Sequence, residues 1–296
     1  MTISFRCPKC KGTCAFHDEH AGRRARCNEC DQVFLIPSEN GQKAQIVKSQ
    51  RGDPIPGFYR AVFCDSYRMF TSLNNVTGLV FAAAAVSFKF FVGHANYRFF
   101  AFYVPLGFIT QIITWGCLCW YYMEIITSMA FGENDLPEID MGFGFEFFWN
   151  VIRSIYLFIV ALALVEIPCV FIVRLLIRIG AHGPLIQHII MFAGLFAFPM
   201  TILILSVGRE IWMVLLPQNI IRPFYKAAAP YLTTVFFVML AAVLEWKTIG
   251  YIQVKNESGI IVALHLAANI AVVFFAVFTM RAVGLFGRHY RCYLPE

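Results

Sequence analysis

Four cysteines near the start of the chain form two Cys-x-x-Cys pairs, Cys7 with Cys10 and Cys27 with Cys30. About 16 residues separate the pairs, a spacing typical of sites in which four thiolates hold one tetrahedral zinc ion. A segment this short cannot bury enough apolar surface to fold alone, so metal binding would supply its folding free energy, about 10 kcal/mol or more. The sequence therefore predicts structural zinc as a cofactor.

Residues 5–37 resemble a short zinc-ribbon family found at the N-termini of bacterial membrane and signalling proteins. The resemblance rests on the Cys-Pro-Lys-Cys motif, a basic glycine-containing middle, the second Cys-x-x-Cys and the ending Phe-Leu-Ile-Pro. It implies a small β-rich zinc ribbon. Cys14, His17 and His20 are spare candidate ligands, and the alternative is that they are ordinary strand and loop residues.

The basic middle of this segment contains Arg23, Arg24 and Arg26. Such residues can contact the phosphates of nucleic acid, but no aromatic residues alternate with them here. A solvated basic face, or a dock for a protein partner, is the better interpretation. Nucleic acid is therefore not an expected partner.

The remainder of the 296-residue chain is far more apolar than a soluble protein. Hydrophobic residues make up 59% of the sequence, charged residues only 14%, and mean hydropathy is +0.65. The composition changes near Pro54, which predicts a ribbon at residues 1–37, a flexible polar linker at 38–53 and a membrane domain at 54–296. The predicted fold is an all-α polytopic membrane bundle with a small β-rich zinc ribbon at its N-terminus.

Apolar runs predict about six transmembrane helices, each long enough for a hydrocarbon core of about 30 Å. Residues 54–73 have an apolar side and a basic side, the apolar side formed by Ile55, Phe58, Val62, Met69 and Leu73. This pattern predicts an interfacial helix on the bilayer, with a soluble core helix as the alternative. Residues 208–230, broken by prolines, predict short interfacial helices. The predicted spans are residues 76–92, 99–122, 154–177, 185–207, 231–254 and 260–283.

An even number of spans places both chain ends of the membrane domain on one side. The larger share of Lys and Arg then falls on that side, although Arg174 and Arg178 do not. The N-terminus lacks the apolar core of a secretory signal, and zinc thiolates need a reducing compartment. These features predict an inner (cytoplasmic) membrane protein with cytosolic N- and C-termini.

A second resemblance concerns the acidic loop Glu-Asn-Asp-Leu-Pro-Glu-Ile-Asp at residues 133–140 and the aromatic Phe-Glu-Phe-Phe at 145–148. It resembles a cytoplasmic loop of an uncharacterised bacterial multi-span family with a DLPEWDD run, and Ile139 stands where that family carries tryptophan. The resemblance implies a fold type and no chemistry. The wider loop from Glu124 to Glu146 would share a compartment with the ribbon. One hypothesis is that Arg23, Arg24 and Arg26 dock on its carboxylates, and the alternative is a freely mobile ribbon and a solvated loop.

Ionisable and polar residues within the predicted spans are functional candidates, because charge is costly in lipid. Glu166 and His265 could form a proton or ion path, with Asn269 one helical turn from His265. The alternative for these residues, and for Glu245, is hydrogen bonding that holds the helices together. No catalytic motif such as HExxH, GxSxG or a P-loop is present.

Two functions follow from these features. The first is a non-enzymatic multi-pass membrane protein whose cytosolic ribbon is a docking or sensing module for a protein partner. The second is a small transporter or channel subunit that uses Glu166 and His265.

The cysteine spacing generates the first prediction. The purified protein should contain one zinc ion per chain, because the four thiolates complete a tetrahedral site. Elemental analysis should show that zinc is lost in the Cys7→Ser, Cys27→Ser double variant and kept in a Cys64→Ser, Cys292→Ser control. Unchanged zinc in the first variant would contradict the assignment.

Overall fold

A computed structural model describes residues 2–7, 13–17, 24–26, 33–35, 45–46, 54–93, 97–99, 102–104, 106–139, 145–180, 183–208 and 211–294. The chain divides into two units, Met1–Asp53 and Pro54–Glu296. The division falls where the composition of the sequence changes from polar to apolar.

The first unit contains two small antiparallel sheets. Strand β1 (Thr2–Arg6) pairs with β2 (Thr13–His17), and this pairing places Phe5 opposite Cys14. The rings of Phe5 and Phe16 stack with centroids 6.0 Å apart. The second sheet has the order β3-β4-β5. Its strands are β3 (Arg24–Arg26), β4 (Val33–Leu35) and β5 (Gln45–Ile46). Strand β5 lies within residues 38–53, where the composition predicts a flexible linker.

The second unit is mostly helical. Helix α1 (Phe58–Arg60) continues through a π-helical segment, Ala61–Asp65, into α2 (Ser66–Thr71) and a 3-10 turn, Leu73–Asn75. Helix α3 (Val76–Val92) precedes a hairpin of β6 (Tyr97–Phe99) and β7 (Phe102–Val104). The next helices are α4 (Leu106–Phe131), α5 (Phe145–Arg178), α6 (Pro184–Leu195) and α7 (Phe198–Ser206). The chain continues through α8 (Ile211–Leu215), α9 (Pro217–Lys226), α10 (Ala228–Trp246), α11 (Tyr251–Val254), α12 (Gly259–His289) and a 3-10 turn, Arg291–Tyr293.

Five helical segments among the described residues are long and apolar enough to cross a membrane. A multi-pass membrane protein is therefore supported, and five of the predicted spans have a counterpart. The exception is the predicted span at residues 99–122, which starts in the β6–β7 hairpin and only becomes helical at Leu106. The five segments are Leu73–Val92, Phe148–Arg178, Leu185–Ser206, Ala228–Trp246 and Gly259–His289.

Helix α4 nevertheless runs antiparallel to α3 along most of its length. Near the start of α4, Gln111 Nε2 donates a hydrogen bond to the Gly93 carbonyl, 2.9 Å away, at the end of α3. Further along, Tyr121 packs so closely on Gly78 that a Cβ on that glycine would overlap with the Tyr121 hydroxyl oxygen.

The centre of the bundle is the C-terminal half of α12, whose residues from Thr279 to Gly287 are buried. Helix α12 packs against α3, α4 and α10, while α5 packs against α4, α6 and α7. Phe286 of α12 makes edge-to-face contacts with Phe58 and with Tyr231, at centroid distances of 6.3 and 5.6 Å. Aromatic pairs of this kind add to the area that the helices bury.

The amphipathic pattern at residues 54–73 is confirmed in part. Phe58, Val62 and Met69 are buried, as the pattern predicts, but Ile55 and Leu73 are exposed. The buried side faces the bundle, because Phe58 contacts α12 through Phe286.

Close packing of α4 on α12 generates the second prediction. A Cβ on Gly284 would lie 2.6 Å from Met129 Cβ and 2.8 Å from the Ile126 carbonyl oxygen. Because the backbone must shift to admit a methyl group, Gly284→Ala should destabilise the fold by about 1–3 kcal/mol and lower the melting temperature in detergent. Gly259→Ala is the control, since open space surrounds that position. Equal melting temperatures for both variants would show that the helices do not approach this closely.

Candidate functional site

A buried arginine on α12 brings three chain segments together. Arg281 is 3% exposed and lies in a run of apolar side chains. Its Nε donates to Ser66 Oγ at 3.1 Å, and its Nη1 donates to the Asn134 carbonyl at 2.5 Å and to Met129 Sδ at 3.4 Å. Asp65 and Asp135 supply negative charge near the guanidinium. We call these contacts the Arg281 network.

Asn134, in the acidic loop, has a second arginine partner. Its Oδ1 accepts a hydrogen bond from Arg288 Nη1 at 2.9 Å. Since its backbone carbonyl already binds Arg281, one residue is held by two arginines that are seven positions apart on α12. The two contacts fix residue 134 to one face of that helix.

Asn75 holds the same loop from the other side. It is 1% exposed, and its Nδ2 donates to the Met69 carbonyl at 3.0 Å. Its Oδ1 accepts from the backbone N–H of Leu136 at 2.7 Å, and the Leu136 side chain is buried. The amide therefore satisfies polar groups of α2 and of the loop at once.

The π-helical segment before α2 helps to place Ser66. Such segments add a residue to a turn and are frequent at functional sites. The Ser66 hydroxyl donates to the Ala61 carbonyl at 3.2 Å, across the π turn, while its oxygen accepts from Arg281. Both hydrogen-bonding roles of the hydroxyl are used, so this small polar side chain can be buried at little cost.

The first residues of the membrane unit are paired with the end of its last long helix. Ile55 N–H donates to the His289 carbonyl at 2.9 Å, and His289 Nδ1 donates to the Ile55 carbonyl at 2.8 Å. Tyr290, the next residue, lies close enough to Tyr59 of the first helix for the two to interact: burial raises the pKa of Tyr290, and neighbouring groups such as Tyr59 add to the increase. The segment after Pro54 and the end of α12 therefore lie at the same end of the bundle.

The other end of the bundle has an ion pair. Lys89 Nζ of α3 lies 2.5 Å from Glu245 Oε1 of α10 and 4.4 Å from the ring centroid of Trp115 in α4. The pair links three helices through a salt bridge and a cation–π contact. This agrees with the interpretation of Glu245 as a residue that holds helices together.

The transport candidates Glu166 and His265 are not joined to each other: no hydrogen bond or ion pair connects their side chains in the part of the chain that the structure describes. Glu166 faces Gly194 of α6, and a Cβ on that glycine would lie 3.4 Å from Glu166 Oε1. Within the described ranges, buried Glu166 Oε2 has no hydrogen-bond partner. Asn269 Nδ2 donates to the carbonyls of His265 and Ile249, at 2.8 and 3.2 Å, so it stabilises the helix end.

Of the four predicted zinc ligands, the structure describes one. Cys7 follows β1 and is buried, and Cys14 of β2 is buried as well. Cys10, Cys27 and Cys30 lie outside the described residues, as does the spare candidate His20. Among the residues that are described, no group of three or more metal-binding side chains comes together. A buried thiol in so small a unit fits a zinc ligand, and the zinc site stays a prediction.

Comparison with protein-family models, with curated proteins and with solved structures gives no match to this chain. Both resemblances that the sequence suggests therefore stay predictions.

Sequence reasoning missed Arg281 and Asn75 as site residues. The signal was present in Arg281 itself, a charged residue with apolar neighbours on both sides within a long apolar helix.

The Arg281 network generates the third prediction. Arg281→Met keeps the length of the side chain but removes hydrogen bonds from a charged donor, each worth about 1.5–3 kcal/mol. Hydrogen exchange at residues 133–139 and 66–75 should therefore become faster by roughly an order of magnitude or more. Exposed Arg68 of α2 provides the control variant Arg68→Met. Unchanged exchange in Arg281→Met would mean that the loop is held without this network.

Proposed function

We propose that this chain is a non-enzymatic multi-pass inner-membrane protein whose cytosolic N-terminal zinc ribbon docks on, or senses, a protein partner. The observation that carries the proposal is the Arg281 network. It uses a buried charge to fix a loop and the entry segment to the bundle. Such contacts suit a static membrane anchor.

The ion pair at the other end supports the same proposal. Lys89 and Glu245 form an ion pair with each other, so neither side chain is an unpaired charge at which a transported ion would bind. A cavity beside α7 and α12 has a volume of about 20 Å³, room for about one water molecule. Its lining includes Leu203, Gly287 and Arg291 but neither Glu166 nor His265.

A transporter or channel subunit is the second candidate, because one observation favours it. The buried Glu166 Oε2 lacks a partner among the described residues, and an unpaired carboxyl oxygen in an apolar helix is a functional candidate. The contacts of His265 and Asn269 do not extend a path from it, so this function ranks below the first.

We infer the orientation from the course of the helices and from the positions of the basic residues. With α4 counted as a sixth crossing, the chain enters and leaves the membrane unit at one end, in agreement with the hydrogen bonds between Ile55 and His289. Arg60, Arg68 and Arg288 belong to segments at that end. The excess of basic residues supports a cytosolic position for it.

Partner labelling is the fourth prediction and tests the docking function. A biotin ligase fused to the N-terminus should label a reproducible set of proteins in cells, because the ribbon holds its partner near the membrane. The Cys7→Ser, Cys27→Ser variant should lose this set, while Cys64→Ser, Cys292→Ser should keep it, at equal amounts of membrane-inserted protein.

Labelling that does not depend on the ribbon cysteines would overturn the docking function. Proteoliposomes provide the complementary test, with a pH-sensitive dye inside. Proton flux that is abolished by Glu166→Gln would establish transport instead.

A further inference from the structure

The connection between two of the membrane-crossing segments has an unusual surface. Helices α8 and α9 join the segment that ends at Ser206 to the one that begins at Ala228. A connection this short must lie close to a bilayer surface. Asn219 Nδ2 donates to the Met213 carbonyl at 2.7 Å and so ties α9 back to α8. We call residues 211–226 the α8–α9 surface.

Large aromatic and aliphatic side chains of this surface point away from the protein. Trp212 is 73% exposed and Tyr225 is 82% exposed. Ile221, one turn before Tyr225, is 56% exposed, and Leu215 and Leu216 are exposed as well. Exposed Trp and Tyr near the ends of membrane spans are typical of the headgroup region, where the ring is buried and its polar atom reaches water.

The opposite side of α9 is fixed to the bundle. Pro223 is buried, and Phe224 packs edge to face on Phe196, 5.1 Å between centroids, and on Tyr231, 5.9 Å. The exposed side chains are therefore held on a rigid support, and their exposure does not come from a loosely attached helix.

Two cations lie next to the exposed apolar residues. Arg222 and Lys226 are exposed and four residues apart, hence on one face of α9, adjacent to the face of Ile221 and Tyr225. Residues 211–226 contain no acidic residue. The combination of exposed aromatic residues and cations on one surface is complementary to the phosphates of an anionic leaflet.

We propose that the α8–α9 surface binds the headgroups of anionic phospholipids, with Arg222 and Lys226 on the phosphates and with Trp212 and Tyr225 inserted between the lipids. The site belongs to the membrane unit alone and does not depend on the zinc ribbon or on its partner. It would set which leaflet, and which lipid composition, the protein prefers.

The fifth prediction uses the full-length protein and native mass spectrometry in detergent, with phosphatidylglycerol and phosphatidylcholine as probes. The Arg222→Gln, Lys226→Gln variant should bind phosphatidylglycerol about tenfold more weakly, since each basic residue near an anionic surface contributes to the attraction. Binding of phosphatidylcholine should not change. Both positions are exposed, and an unchanged melting temperature would confirm that the variant folds.

A matched control removes two cations beyond the opposite end of α10. Lys247→Gln, Lys255→Gln changes the net charge equally, and both residues are exposed. This control should keep the affinity for phosphatidylglycerol. If both double variants lose the same affinity for phosphatidylglycerol, the effect comes from net charge and not from the α8–α9 surface, and the proposal is wrong. If neither loses affinity, the proposal is also wrong. The wild-type protein could instead form a dimer that the Trp212→Ala, Tyr225→Ala double variant does not form. If that variant still binds lipid, the surface binds a second copy of the chain and the lipid proposal is wrong.

Discussion

A guanidinium that is almost fully buried must be paired, and this requirement organises one end of the membrane unit. The hydrocarbon core of a bilayer contains no water, so the hydrogen-bond partners of a charged group there must come from the protein. Arg281 finds them on segments that are distant in sequence: Ser66, Met129 and Asn134. No single segment satisfies the charge, so the loop, the entry helix and α4 must all be in place together. Removing one of these partners would leave a buried charge unpaired, which is strongly destabilising.

Glycines on the same helix make this pairing sterically possible. A Cβ on Gly284 would lie 2.6 Å from Met129 Cβ, and one on Gly287 would lie 2.7 Å from Leu203 Cδ1. Small residues allow helices in lipid to approach closely, where dispersion replaces the hydrophobic effect as the attraction. That approach also brings the end of α4 within reach of Arg281 Nη1. The tight packing and the polar network are thus two consequences of the same helix pair.

Hydropathy alone predicts most of the membrane unit, and its failures have clear physical causes. The span predicted at residues 99–122 starts too early, because aromatic residues there pair as β6 and β7, and hydropathy does not separate a strand from a helix. Periodicity correctly predicts the buried face of Phe58, Val62 and Met69. It cannot show that Ser66 on that face contacts an arginine 215 residues away, because the partner depends on tertiary packing. The zinc ligands are predicted from spacing, and three of the four lie outside the described residues.

The two ends of the bundle differ in what their polar contacts connect. The Lys89–Glu245 pair joins one regular helix, α3, to another, α10. The Arg281 network instead joins α12 to the acidic loop and to Ser66 of α2. Hydrogen bonds between Ile55 and His289 hold the start of the membrane unit against the end of α12. Residues 55–75 are the part of the membrane unit that follows the N-terminal unit directly. A change in the loop or at Arg281 would therefore reach this segment through direct contacts. The same buried charge therefore connects the segment at residues 55–75, through Ser66, to the acidic loop and to the last long helix of the membrane unit.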